Sequence, residues 1–426
     1  MMQNQKDVLQ KMNNSEILNG YIQSYKIVKN ENDPKGGNGV IRSVACNNEI
    51  VAKVFNVAEI RTDRAIRLER FNKEIDFLKK HQNKDIHIPK LIDSYKNGPE
   101  FFVMKKYLTI NDFYASNPTN KTILQYCLDL IDAIKYIHSQ GFAHRDIKPT
   151  NILFEKKDNG DGYVLILCDF GLISEEGGET NHSRMGSYTF TPPELMDRTI
   201  IDTDKYYASD VYSFAKTVYA LLKKSYYSFN DGIERIDYDF EIKSYTSDNI
   251  ELEPVYEMIE KSIKFEMNDR IGIEVCEDLI KESLNLINGK NLNYWYDKRR
   301  IRRALGRLLR KPEYIVRNHN SINQFLMSIV RNRPILKNNE IIIDINSIKR
   351  IEQMNDDPTL SFYVIENTKK ETLNIAVKEL IYTNEKNNRI FLSLFFVNDI
   401  FEVTGNIVQF ELLFVTKGAI KNPFSF

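Results

Sequence analysis

His144-Arg145-Asp146-Ile147-Lys148-Pro149-Thr150-Asn151, followed eighteen residues after Asn151 by Asp169-Phe170-Gly171, gathers the carboxylate, amide and ammonium groups that in-line phosphoryl transfer needs. Such a transfer requires an acceptor hydroxyl held near a carboxylate, metal ions bridging the phosphates, and a cation that spreads the developing charge. Asp146 can be the carboxylate, Asn151 and Asp169 the metal ligands, and Lys148 the local cation. The cofactors this chemistry asks for are ATP and Mg2+.

Further residues of the right type stand at fitting intervals. Pro34-Lys35-Gly36-Gly37-Asn38-Gly39-Val40-Ile41 is a glycine-rich stretch, and fourteen residues after Gly39 comes Lys53, at the end of Ile50-Val51-Ala52-Lys53. Glu74 follows in a run where Phe71, Ile75 and Leu78 recur at helical spacing. Downstream lie Thr191-Pro192-Pro193-Glu194 and Asn268-Asp269-Arg270. Taken singly, each is ordinary, since a lysine in a strand or a glutamate in a helix is most often a solvated charge. In this order, over residues about 21–289, they closely resemble the eukaryotic-type (Hanks-type) serine/threonine protein kinases.

That resemblance implies an α+β, two-lobed protein-kinase fold in which Gly36, Gly37, Asn38, Gly39 and Ile41 cover the nucleotide. Pro34 stands where the family has its first glycine and stiffens φ at the loop's entry. It implies further that Lys53 grips the α- and β-phosphates and pairs with Glu74, and that Arg270 pairs with Glu194. Met104 falls at the gatekeeper position, with Lys105 to Tyr107 as the hinge to adenine. Asp210, in Asp210-Val211-Tyr212-Ser213-Phe214-Ala215, falls where the family anchors the catalytic-loop backbone.

Lys148, two residues after Asp146, is the family's mark of serine/threonine acceptors, so the implied partners are protein substrates with Ser/Thr hydroxyls. Ser187, after Gly186, either bridges Asp146 and Lys148 or is a plain loop serine. The loop from Gly171 to Glu194 carries hydroxyls including Thr180 and Ser183. A phosphate on either brings about −1.5 to −2 charges to set against Arg145, and would make autophosphorylation an ordering step. Glu175, Glu176 and Glu179 are the competing source of negative charge.

These residues must be positioned by elements that the pattern supplies. Tyr21 to Val28, Val40 to Ala45, Glu49 to Phe55 and Phe101 to Lys105 read as small-lobe strands around the Glu74 helix, with Asn47-Asn48 as a tight turn. Thr122 to Gln140 places Ile123, Cys127, Leu130, Ile131, Ile134 and Ile137 on one helical face, closed by Gly141. Ile152 to Glu155 and Tyr163 to Leu167 read as a hairpin holding Asn151 and Asp169 at its two ends. Its acidic loop, Asp158 to Gly162, reads as an exposed turn and lacks the distal glutamate of a calcium loop.

Composition bounds the rest. With 426 residues, 42% hydrophobic and 28% charged, the chain has room for two or three compact units of ordinary globular make-up. No apolar run is long enough for a membrane helix, and Met1 to Gly20 lacks the apolar core of a signal peptide, so a cytoplasmic protein is expected. Cys46, Cys127, Cys168 and Cys276 are scattered and read as reduced thiols.

The expected divisions are a polar extension at 1–20, the kinase domain at 21–289, a basic helical segment at 290–333 and an accessory domain at 334–426. The formal zero charge is a sum of unlike parts: +10 over residues 290–333, −2 over 334–426 and −8 over 1–289. Tyr296 to Lys311 reads as a basic amphipathic helix with Ile301, Ala304, Leu305, Leu308 and Leu309 on one side. It could dock against the acidic kinase part, bind nucleic acid through phosphate contacts, or meet a regulatory protein or a membrane surface. Beyond it, Glu340 to Ile345, Leu360 to Glu366, Leu373 to Leu380, Arg389 to Val397 and Val408 to Thr416 read as strands of a small α+β or β-rich domain. An active kinase in cytosolic signalling or in stress or antiviral defence is expected. The alternative is a kinase-fold scaffold that displays the basic C-terminal part to a partner.

Overall fold

Period-two alternation near the start of the chain gives way to period-3.6 stripes and then returns after residue 330, and the architecture follows those changes. The structure, a computed structural model, describes residues 20–22, 25–28, 39–45, 47–55, 64–81, 86–95, 100–157, 162–175, 189–197, 206–229, 249–290, 292–293, 295–296, 299, 314–330, 333–345, 348, 350–353, 361–366, 371–383, 389–400, 402–416 and 419–421. The chain divides into two compact units, residues 1–243 with 254–287 and residues 244–253 with 288–426.

In the first unit, β1 (Gly20–Ile22), β2 (Tyr25–Val28), β3 (Gly39–Val44), β4 (Asn47–Phe55), β5 (Leu91–Tyr95) and β6 (Phe101–Lys105) form one antiparallel sheet in the order β1-β2-β3-β4-β6-β5. Ala52, Val54, Phe101 and Val103 share one face with Ile27 and Val44 as an apolar cluster. The opposite face receives α1 (Arg64–Lys80), whose buried Arg67, Phe71, Glu74, Ile75 and Leu78 follow the helical repeat. Phe71 packs on Phe55 and on Phe102, at 5.6 Å in each case.

Three details differ from the sequence expectation. Tyr21 to Val28 is two strands, with Tyr21 paired to Lys26 in an antiparallel ladder. The turn expected at Asn47-Asn48 falls earlier: Val44 pairs with Asn47 while Ser43 pairs with Val51, so Asn47 to Glu49 form a bulged strand start, where Asn47 Oδ1 accepts from the Glu49 N–H. Leu91–Tyr95 is an additional strand on the far side of β6.

The helical lobe opens with β7 (Leu108–Thr109) and α2 (Ile110–Ala115), followed by α3 (Asn120–Ser139). Thr119 caps α3 by accepting from the Thr122 N–H, and Gly141, at φ 79°, provides the left-handed exit that a side chain would strain. Then come β8 (Phe142–Ala143), β9 (Ile152–Lys156), β10 (Tyr163–Leu167), β11 (Ser174–Glu175), α4 (Pro193–Asp197), α5 (Tyr206–Leu222), α6 (Glu253–Ser262) and α7 (Ile273–Ile287). α5 is buried almost all round, as a central core helix must be.

The second unit is a nine-stranded antiparallel sheet built from β12 (Tyr314–Val316), β13 (Pro334–Lys337), β14 (Ile342–Asp344), β15 (Arg350–Gln353), β16 (Ser361–Glu366), β17 (Thr372–Thr383), β18 (Arg389–Phe396), β19 (Val408–Thr416) and β20 (Ala419–Lys421). Its core joins Tyr363, Leu380, Leu392 and Phe410 to Ile322, Phe325, Leu326 and Ile329 of α8 (His319–Ile329). β12 and α8 lie inside the stretch expected as a basic helical segment, and both join this sheet domain. Most of the Tyr296 to Lys311 helix lies outside the described residues. Among the described residues, no helix is long and apolar enough to cross a membrane.

Candidate active site

Lys53 is fixed between Ile41 on β3 and Phe102 on β6, and its side chain turns toward α1. Its Nζ donates to Glu74 at 2.7 and 2.9 Å and to Asp169 Oδ1 at 3.2 Å, joining strand, helix and the Asp169 loop. Burial works to discharge Lys53, but the carboxylates of Asp169 and Glu74 outweigh it and hold the ammonium well above the usual lysine range. Burial also pushes the Glu74 carboxyl up against the pull of Lys53. Lys53 is thus fully charged across the neutral range, and Glu74, pushed up to about 7, is the member of the pair that takes on a proton as pH falls through neutrality.

Asp169 reaches Lys53 because Phe170 is wedged beneath α1. The Phe170 ring stacks on Phe77 at 4.5 Å and meets His144 edge-on at 5.1 Å, fully buried. Asp169 itself adopts φ 66° and ψ 70°, a left-handed conformation that costs about 1 kcal/mol or more and is held by that packing. Burial would raise its carboxyl, yet Lys53, by charge and hydrogen bond, keeps it below the ordinary carboxylate range.

The catalytic loop is built on Asp210 of α5. The fully buried Asp210 carboxylate accepts the N–H groups of His144 and Arg145 at 2.8 Å each and His138 Nε2 at 2.9 Å. Burial alone would push Asp210 up; the bond from His138 and the loop amides hold it below its usual value. His144 accepts from the Asp146 N–H at Nδ1 and donates from Nε2 to the Cys168 carbonyl, which suits a neutral imidazole whose affinity for a second proton burial lowers.

Asp146 sits at the centre of this loop, with Lys148 Nζ donating to its two oxygens at 2.9 and 2.7 Å. Asn151 Nδ2 donates to the Asp146 carbonyl at 2.8 Å and to Oδ2 at 2.9 Å, so the Asn151 amide oxygen is the atom left for a cation. The Cys168 N–H donates to the Asn151 carbonyl at 2.9 Å, which sets Asp169 beside Asn151. Burial pushes the Asp146 carboxyl above its ordinary value, with Lys148 opposing and Asp169 adding to the rise.

This donor set fits a magnesium nucleotide. Two ammonium groups, Lys53 and Lys148, face three carboxylates, the buried Glu74 and Asp146 and the partly exposed Asp169, so the cluster carries an excess negative charge that a divalent cation offsets. Among the described residues, no three His, Cys, Asp or Glu side chains converge as a closed metal cage. A site of one carboxylate and one amide oxygen, completed by phosphates and water, is the usual magnesium arrangement.

The nucleotide-side residues are placed by the small-lobe sheet. Gly39 pairs with Phe55, and a Cβ there would lie 3.0 Å from the Val54 carbonyl oxygen and 3.2 Å from the Phe71 ring, so strand and ring would have to give by a few tenths of an ångström to admit a side chain. Ile41 is half-buried and Met104 is buried. Lys105 Nζ binds Glu155 Oε1 at 2.5 Å, the Lys106 N–H donates to the Glu49 carbonyl, and the Tyr107 hydroxyl accepts from the Lys90 N–H. Gly36, Gly37, Asn38, Thr180, Ser183 and Ser187 lie outside the described residues.

Glu194 and Arg270 meet in a buried bidentate pair at 2.6 and 2.7 Å, with Ser209 Oγ also donating to Glu194. Arg145, also buried, lies over the Tyr206 ring at 4.5 Å, and its Nε lacks a hydrogen-bond partner among the described residues. Sequence reasoning missed His138, Ser209 and the Phe77–Phe170–His144 stack. His138 stands one position after the apolar stripe of α3, and only the fold shows that it faces Asp210.

Comparison with known proteins bears on the fold family. A family model described as "Protein kinase domain" matches residues 35–285, more than half of the chain. Serine/threonine-protein kinase D of Synechocystis sp. is 28% identical over 213 residues, covering 47% of this chain and 39% of that protein. Serine/threonine-protein kinase TOS3 of Saccharomyces cerevisiae is 29% identical over 221 residues, 44% of this chain and 38% of its own length. Calcium/calmodulin-dependent protein kinase cmkA of Emericella nidulans is 25% identical over 195 residues, 44% of each. The chain spans well under two thirds of these relatives.

Proposed function

The chain belongs to the protein kinase domain family, and from that membership and the site's geometry we propose that it is an ATP- and Mg2+-dependent protein-serine/threonine kinase. The observation that carries this reading is Lys53 held between Glu74 and Asp169 beside an Asp146 braced by Lys148 and Asn151. When bound, ATP supplies the γ-phosphoryl group and magnesium the charge that neutralises its oxygens.

Every other part of the work falls to this chain. Lys53 binds the α- and β-phosphate oxygens, and Glu74 keeps it from collapsing onto Asp169 alone. Asp169 Oδ and Asn151 Oδ1 are the oxygens that would hold the metal. An Asp146 oxygen accepts a hydrogen bond from the incoming Ser or Thr hydroxyl, orients it in line and takes its proton late in the transfer. Lys148 offsets the charge that spreads over the phosphoryl oxygens. The hydroxyl class rests on Lys148 in the resemblance already described. Arg145, with an Nε that lacks a partner among the described residues, is suited to a phosphate on Thr180 or Ser183, which supports autophosphorylation in the loop. We place the enzyme in the cytoplasm, in signalling or in stress or antiviral defence.

Of the basic stretch, Arg299 forms a largely buried ion pair at 3.1 Å with Glu253 of the same unit, which supports that arginine being taken up within the chain and not held out for nucleic acid. The decisive experiment is transfer of labelled phosphate from ATP by the purified chain to proteins and to itself. Wild type should transfer to Ser and Thr, while Asp146→Asn and Asp169→Asn should each lose at least about a thousandfold in rate. Retained turnover in either variant would sink these roles.

A further inference from the structure

The chain crosses from the six-stranded sheet to the helical lobe on two residues, Lys106 and Tyr107, with Lys105 ending β6 and Leu108 starting β7. On the small-lobe side this crossing is tied down closely. The Lys105 N–H donates to the Lys90 carbonyl at 3.3 Å, the Lys106 N–H to the Glu49 carbonyl at 2.6 Å, and the Lys90 N–H to the Tyr107 hydroxyl at 2.9 Å. On the other side the ladder is short: Leu108 faces Phe154 and Thr109 faces Leu153.

The Lys105 side chain reaches across the crossing. Its Nζ meets Glu155 Oε1 at 2.5 Å, and Glu155 follows Phe154 on β9. A closed ring results, running from Lys105 through Lys106 and Tyr107 to Leu108, across the ladder to Phe154, on to Glu155, and back through the ion pair. A change of angle between the two sheets would be absorbed in the backbone of Lys106 and Tyr107, since element-terminal residues are where hinges turn. With the ring closed, that rotation must break either the ladder or the ion pair.

The ion pair is the member that can open. The Lys105 and Glu155 side chains are 42% and 22% exposed, so water and salt reach both. Glu155 also acts on the crossing through its charge: burial pushes the Tyr107 hydroxyl up to about 12 and Glu155 adds to the rise, which keeps that hydroxyl neutral where it accepts from Lys90.

Resting on the kinase reading, we propose that Glu155 is a positioning residue for nucleotide exchange, which locks the hinge through Lys105 and slows release of the spent nucleotide. Glu155 stands outside the cluster of Lys53, Asp146, Asn151 and Asp169, so its effect falls on nucleotide release and not on the transfer step.

The test uses the full chain with Mg2+ and a fluorescent ADP analogue, its dissociation followed by stopped flow after a chase with unlabelled ADP. Glu155→Gln keeps the size and removes the charge. It should release the analogue about threefold faster at low salt, the scale of a partly exposed pair. Its single-turnover rate of transfer from bound ATP and its melting temperature should stay at the wild-type values. Lys105→Met should quicken release by the same factor, and the double variant should remain near threefold instead of reaching about ninefold. Wild-type release should itself quicken at about 1 M salt, where charges are screened beyond about 3 Å, while release from Glu155→Gln should not. Unchanged release in Glu155→Gln, or multiplied effects in the double variant, overturns the latch and leaves the kinase reading intact. A wild-type chain that neither binds the analogue nor transfers phosphate refutes both.

Discussion

Replacing Asp210 with asparagine changes one atom in a fully buried carboxylate that three donors share. Oδ1 accepts from the Arg145 N–H at 2.8 Å, and Oδ2 accepts from the His144 N–H at 2.8 Å and from His138 Nε2 at 2.9 Å. Asparagine offers one oxygen and one NH2 group, so in either orientation at least one donor faces another donor. The smaller loss is one hydrogen bond to a charged group, about 1.5–3 kcal/mol, plus the desolvation of the N–H left unmade, about 1–3 kcal/mol. Asp210→Asn should therefore destabilise the first unit by about 3 kcal/mol, or roughly 6–12 °C in melting temperature at about 2–4 °C per kcal/mol. Far-ultraviolet circular dichroism is the suitable probe, because the chain's single tryptophan, Trp295, belongs to the second unit. The Asp210 pKa is depressed in the folded state, so its contribution is complete above the unfolded aspartate value and lost as pH falls through the folded one. The gap between wild type and variant should accordingly shrink in acid. Because His144 and Arg145 lead directly into Asp146, kcat should fall roughly 10- to 100-fold with little change in the KM for ATP. A variant within about 1 kcal/mol of wild type and fully active would refute this account of the loop.

Arg270→Ala should cost about 3–5 kcal/mol, since it strands a buried Glu194, and Glu194→Leu with Arg270→Met should recover a large part of that in a double-mutant cycle followed by urea melts. The acid limb of the kcat/KM profile should have its midpoint above the ordinary aspartate value of about 3.9, because burial raises Asp146 and the carboxylate form is the active one; activity is lost as pH falls through that raised value, and a limb at or below about 3.9 contradicts the assignment.

The candidate site residues were legible because phosphoryl transfer fixes both the types and the order of the groups it needs along the chain. Lys53, Glu74, Asp146, Asn151 and Asp169 were named from type, spacing and resemblance, and the fold joins Lys53 to Glu74 and Asp169 by hydrogen bonds, and Asp146 to Asn151. Local geometry was less legible. Leu91–Tyr95 was missed as a strand because Asp93 and Ser94 interrupt its apolar alternation, and pairing to Phe101–Lys105 holds it there. α8 was overlooked beside the arginine-rich run, although Ile322, Phe325, Leu326 and Ile329 carry a helical stripe that buries itself in the second unit's core. The turn near Asn47-Asn48 was misplaced by two residues because asparagine suits a strand-start bulge as well as a hairpin turn.

The polar cluster depends on apolar contacts that titrate nothing. Asp169 lies at Lys53 only while Phe170 fills the space under α1, and α1 presents Glu74 only while Phe71 stays between Phe55 and Phe102. Two like-charged carboxylates, Glu74 and Asp169, share one ammonium; Lys53 outweighs burial at Asp169, but burial and the Asp169 charge prevail at Glu74, which therefore needs a restraint beyond charge. The aromatic packing supplies that restraint, and the left-handed backbone at Asp169 is where the strain of the arrangement resides. A shift of α1 away from the sheet would therefore separate Glu74 from Lys53 and loosen the Phe77–Phe170 contact in the same motion. Asp169 and Lys53, the proposed metal ligand and phosphate-binding lysine, are thus coupled through one helix, and the position of α1 sets their geometry together.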